Sequence, residues 1–135
     1  VVNIFANDNL DLKLTAGNKG VTVTGAVLGN ITTLGISSNT ASLDFQDGDA
    51  YILNLVSGSD THLNAINQFT TGCQTVSLRV NQPATGHGTI SFAPEFKFAG
   101  GTAPTATAAS NAEDILTFQT YGATNVYGTA ALNLS

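Results

Sequence analysis

Tryptophan and methionine are absent from this sequence of 135 residues, cysteine occurs once, proline three times, and charged residues make up only 10%. Each shortage excludes something. The lone Cys73 cannot build an internal disulfide framework or a multi-cysteine metal site. Four cations, Lys13, Lys19, Arg79 and Lys97, are scattered through a chain of net charge −5. They cannot form the basic patch that displaces counterions from phosphates, so neither nucleic acid nor an anionic membrane surface is an expected partner. No apolar run approaches the roughly 18 to 20 residues that cross a bilayer as a helix, and the start lacks the basic and apolar segments of a secretory signal. A first residue other than Met leads to the expectation of a processed chain, a fragment, or the ordered part of something longer.

What fills the space is neutral, polar and β-branched: 19 Thr, 13 Asn, 9 Ser and 14 Gly. Leu, Ile, Val and Phe still number 36, about a quarter of the chain, which is enough for one modest core and speaks against disorder. The length suits one domain, and folding would bury roughly two-thirds of the extended chain's surface without staples.

The apolar period is two almost everywhere. Leu10, Leu12 and Leu14 share one face, as do Val21 and Val23, Leu43 and Phe45, and Val76, Leu78 and Val80. Turn residues punctuate these runs at Asp47-Gly48, Ser57-Gly58, Gly72, Gly86-His87-Gly88 and Gly100-Gly101. Such spacing predicts an all-β fold, an antiparallel β-sandwich of jelly-roll type. One window competes. Residues 105–121 hold no Gly or Pro, and Ser110-Asn111-Ala112-Glu113 matches a helix capping box. Ile115, Thr117, Phe118 and Thr120 prefer strands, so the reading there is strand over helix. Residues 1–40 form a short-stranded segment, read as ordinary hairpins or as the end of a repetitive β-shaft, and residues 41–135 form the sandwich module, the two making one compact unit.

The candidate sites each have a plain structural alternative. Asp44, Asp47 and Asp49 place three carboxylates around a glycine turn, a weak candidate for Ca²⁺ because EF-hand spacing and a closing Glu are missing. An Asp-Gly hairpin turn is the favoured reading. His62, His87 and Cys73 show no metal-ligand spacing, and nothing local supports a Cys–His dyad. Glu95 and Glu113 would be a glycosidase pair only if the fold brought them about 5 to 10 Å apart. Ser57-Gly58-Ser59 does not match a nucleophile elbow, and no phosphate-binding glycine loop is present. No catalytic residue, no metal and no cofactor is expected, and the chain is read as a non-enzyme.

The C-terminal third carries one recognisable pattern. It runs Gly88-Thr-Ile-Ser-Phe92, then Phe98-Ala-Gly-Gly101 and Ala103-Pro-Thr105, then Asp114-Ile-Leu-Thr-Phe118, and closes on Tyr127-Gly128. Residues 42–135 thereby resemble a module found near the C-termini of bacteriophage tail-fibre and other virion fibre proteins. That pattern often carries Trp where this chain has Phe98, a swap that keeps an aromatic plug and loses an indole hydrogen bond. The resemblance implies a virion protein: a homotrimeric fibre, spike or knob module that contributes to host attachment, with other virion proteins and a host-surface glycan or protein as partners. The alternatives are a capsid decoration protein and a carbohydrate-binding or polysaccharide-degrading tailspike domain. Phe98, Tyr121 and Tyr127 are the candidates for receptor or interface contact, together with loop tips at residues 57–61 and 100–105. Closed assembly would also cover strand edges that few Lys or Pro protect.

Overall fold

The computed structural model describes residues 30–122 and 124–134, and the expectations for the shaft and hairpins of residues 1–29 lie outside them. Nine strands occur among the described residues: β1 (Ile31–Thr33), β2 (Thr40–Asp44), β3 (Ala50–Asn54), β4 (Asp60–Ile66), β5 (Cys73–Asn81), β6 (Thr89–Phe92), β7 (Phe96–Phe98), β8 (Glu113–Tyr121) and β9 (Val126–Ala131). They form a six-stranded sheet in the order β1-β3-β5-β8-β9-β7 and a three-stranded sheet in the order β2-β4-β6. The all-β, sandwich-like class read from the period of two is what the chain adopts.

The pairing directions differ from expectation. Five of the seven strand pairs are parallel, namely β1·β3, β2·β4, β3·β5, β4·β6 and β7·β9; only β5·β8 and β8·β9 are antiparallel. From β1 to β6 the chain alternates between the sheets, so each strand lies beside the one two places earlier. This is a winding, not a jelly roll. The sequence pattern could not separate the two, because alternation of apolar and polar residues encodes which side is buried and is silent about the direction of the neighbour. The windings also lengthen: Ile31 pairs with Ala50 and Ala50 with Ser77, while Thr40 pairs with His62 and Asp60 with Thr89. Among the described residues the windings have no fixed length.

The turns follow from this. Asp47-Gly48 is a turn, as its residue types require, but it joins β2 of one sheet to β3 of the other and so does not close a hairpin. Ser38 and Asn39 turn the chain between β1 and β2 with φ of 48° and 60°, and Ser37 and Thr40 exchange both backbone hydrogen bonds across them at 2.9 Å. In the window of residues 105–121 the strand reading holds. Asn111 takes a left-handed φ of 57°, which ends any helical start, and β8 follows in full alternation.

The core lies between the sheets. Leu43, Phe45 and Leu63 from the smaller sheet's side meet Leu53, Val76, Leu78, Val80, Leu116 and Phe118 of the larger. Each such side chain contributes about 1.5–3 kcal/mol by leaving water. At the C-terminal end four rings pack edge to face: Phe92 lies 4.8 Å from Phe98 and 5.6 Å from Phe96, and Phe96 lies 5.1 Å from Phe118. Gly128 makes room for them. A Cβ there would stand 3.0 Å from Phe118 Cε1 and would collide with the Phe98 ring, so the Tyr-Gly close of the sequence is a packing requirement.

Two polar anchors hold the connections. Buried Gln82 accepts from the Gly88 amide at 2.9 Å and donates to the Gly88 carbonyl at 3.0 Å, which fixes the link from β5 to β6. Buried Asp114 accepts from Thr107 N and Thr107 Oγ1, each at 2.7 Å, and from Asn133 N at 2.8 Å. One carboxylate thus ties the segment before β8 to the chain after β9.

Candidate functional site

Three places carry the chemistry that the fold leaves accessible. The first is a cleft of about 590 Å³ beside β6, walled by Ile90, Phe92, Phe98, Pro104 and Ala106, with Lys97 at its rim. Its position follows from the winding. Strand β6 is the last of the smaller sheet and β7 the last of the larger, so the two edges leave a seam between them. Thr89 and Ala93 direct their N–H groups to the carbonyls of Ser59 and Leu63 on the β4 side at 2.9 and 3.0 Å. In a parallel ladder alternate residues serve opposite neighbours, so Ile90 and Phe92 turn theirs to the open edge. Ala99–Gly101 makes a single 3-10 turn over the seam, and Gly100 and Gly101 reach it with φ of 67° and 73°. Phe98 is half-buried here against Phe92, as an aromatic plug.

The second place is the outer surface of the smaller sheet. Ser91 Oγ donates to Asp60 Oδ2 at 2.6 Å, Thr89 Oγ1 donates to Asp60 Oδ1 at 2.8 Å, and His62 Nδ1 lies 3.1 Å from Ser91 Oγ. Sequence reasoning missed Asp60, Thr89 and Ser91 because parallel register, not local spacing, brings them together. A hydrolytic triad needs the carboxylate on the imidazole and the imidazole on the serine proton. Here the carboxylate holds the serine proton itself, so the arrangement is a clasp between β4 and β6.

The hydroxyls of Ser91 and then Thr89 hold the Asp60 carboxyl below its ordinary value. A carboxylate depressed in the folded state stabilises above its unfolded pKa, and that contribution is lost as pH falls through the lower, folded value. Asp60→Asn is therefore expected to flatten the acid limb of stability below about pH 4, where unfolded Asp titrates. Urea midpoints measured from pH 7 down to acid unfolding check this; an unchanged acid limb would show that the clasp carries no proton linkage.

The third place is the outer face of the six-stranded sheet. Tyr121 and Tyr127 are exposed there, with rings 6.1 Å apart, edge to face. The register sets Thr33, Ile52, Arg79, Ile115 and Ala131 in one row across the strands. The structure thus brings two of the three aromatic candidates together and leaves Phe98 on the inner side.

The remaining candidates separate. Asp44 accepts from Gln46 N at 2.9 Å and Asn67 Nδ2 at 2.8 Å, and its carbonyl accepts from the Tyr51 hydroxyl. Burial, and then the charges of Asp47, Asp44 and Asp49, push the Tyr51 phenol up to about 12. The acidic turn is thus organised around a buried tyrosine. Among the described residues no three of His, Cys, Asp and Glu are grouped to hold a metal ion. Glu95 accepts from Ala65 N at 3.1 Å, near the start of β9, whereas Glu113 opens β8 and pairs with Arg79 at 3.9 Å. Val126, which bonds Glu95, pairs with Thr120, so most of the length of β8, about 20 Å, separates the two acids. Cys73 and His62 lie on different sheets. The residues expected in a loop tip at 57–61 run into β4, whereas 100–105 does roof the cleft. Comparison of the chain with protein-family models, with curated proteins and with solved structures gave no match.

Proposed function

We propose that this chain is the end module of a bacteriophage fibre or spike, a homotrimeric virion component that contributes to host attachment. The observation that supports the reading is the one-way stack of windings. Strands β1 to β6 add in parallel from one end, and antiparallel β8 and β9, with β7 at the edge, end the stack at the other. A body of that polarity continues an elongated stalk at its open end and presents a finished end outward. Sparse charge and a Thr-rich surface suit durable packing against other virion chains, where slow unfolding matters more than flexibility.

Two measurements test the reading. Light scattering on the purified chain should give about three times 13.8 kDa at micromolar concentration. Gold-labelled antibody against the chain should mark fibre tips on particles that incorporate it. A single-chain mass, or label spread over the capsid, would overturn the fibre reading.

A further inference from the structure

We infer that copies of this chain meet through the outer face of the six-stranded sheet. The inference rests on the proposed self-association and names its surface. The two broad outer faces of the molecule differ in kind. That of the smaller sheet carries Asp44 and Asp60, the latter with its hydroxyl partners, and is acidic. That of the larger sheet carries Arg79, Glu113 and Lys97, of which Arg79 and Glu113 pair with each other. In a chain of net charge −5, this is the broad face on which two copies approach without like-charge repulsion.

Its side chains also suit the role. Ile115 and the Tyr121–Tyr127 pair stand exposed on β8 and β9, and Ala50 and Ile52 are half-covered on β3, across β5 from them. A hollow of about 200 Å³ beside Ile31, Ala50 and Ser77 gives the face relief. Aromatic residues and arginine are enriched in protein interfaces, and this face carries Tyr121, Tyr127 and, at the middle of its central row, Arg79. The six strands, of three to nine residues each and spaced about 4.8 Å apart, present on the order of 550 Å² in projection. A standard interface takes about 600–1,000 Å² of accessible surface from each partner, and side-chain relief makes accessible surface larger than its projection, so this face matches the lower end of that range. Among partners, a second copy is matched in size and hydroxyl chemistry, and the one charge of this face outside the Arg79–Glu113 pair, Lys97, stands at its β7 edge.

Cys73 is a built-in reporter. It is exposed, it lies on this same side of β5, and it pairs in register with Tyr121. In the unmodified full chain, maleimide labelling of Cys73 should slow at least tenfold between dilute and concentrated samples as the face is covered. Ile115→Glu should reduce the mass by light scattering to that of one chain while the β-type circular dichroism and a cooperative melt persist. Asn64→Glu, on the outer side of the smaller sheet, should leave the mass unchanged. An assembly that survives Ile115→Glu, with Cys73 labelling equally fast at every concentration, would reject this face and leave the fibre reading standing. An unmodified chain of single-chain mass at all concentrations would sink both. A dimer that Ile115→Glu dissociates would support the face and reject the threefold count.

Discussion

Asp114→Ala is expected to lower the unfolding free energy by about 3–4 kcal/mol at fixed chain concentration, although no apolar contact is removed. Asp114 is 1% exposed, and its carboxylate receives three hydrogen bonds from two segments that are distant from it in the chain. A hydrogen bond to a charged group is worth about 1.5–3 kcal/mol, and a donor left buried without a partner costs about 1–3 kcal/mol more. The half-buried Thr107 N–H would lose its acceptor, and the chain after β9 would lose the Asn133 N contact that adds to Leu134 N on the Glu113 carbonyl. Asp114→Asn should be milder, because its amide oxygen keeps one acceptor, yet it presents donors to donors at the other position. Urea unfolding gives the magnitude. Hydrogen exchange locates it: protection should fall first at Thr107 and Asn133. A loss spread evenly over β2 to β5 would show that Asp114 does not act as a local tie.

That tie also marks where sequence and structure part. The strand positions were legible because Thr, Val, Leu and Phe alternate so regularly that Val76, Leu78 and Val80 could face only one way. Gly100-Gly101 was legible as a turn for the same local reason, since both residues take a left-handed φ. Strand β8 was legible because its β-branched and aromatic residues outweighed a capping-box coincidence at Ser110. Direction was not. Parallel and antiparallel neighbours demand the same alternation of one buried and one open face, and a winding stack places hairpin-like turn residues at Asp47-Gly48 without forming a hairpin. The Asp60–Ser91 clasp was hidden for a related reason. Its members are joined by the register Asp60↔Thr89, which depends on the length of the intervening winding through β5 and not on any local motif. The aromatic candidates fall between these cases. Tyr121 and Tyr127 were found as residues, but their adjacency needed the antiparallel register of β8 on β9. Without it Phe98, on the opposite face, looked equivalent.

The largest single loss of stability is expected from Phe118→Ala, about 4 kcal/mol. Phe118 is fully buried, and its ring lies 5.1 Å from Phe96 and 6.5 Å from Phe92. The cost has two parts: the transfer free energy of a buried ring, and a cavity that the surroundings cannot close. Closure is blocked from three sides. Phe96 and Phe98 belong to a strand held at the sheet edge by β9, Gly128 has no side chain to move inward, and Val76 is fixed opposite Phe118 by the β5·β8 ladder. Phe118→Leu should cost about half as much, since it refills part of the volume. The exposed Tyr127→Ala, next to the same glycine in the chain but on the other face, should stay within about 0.5 kcal/mol in the dissociated chain. These three variants separate the two roles of the C-terminal aromatics. If Phe118→Ala and Tyr127→Ala were equally mild, the four-ring cluster would not close the stack, and the finished end on which the fibre reading depends would have to be held by something other than its rings.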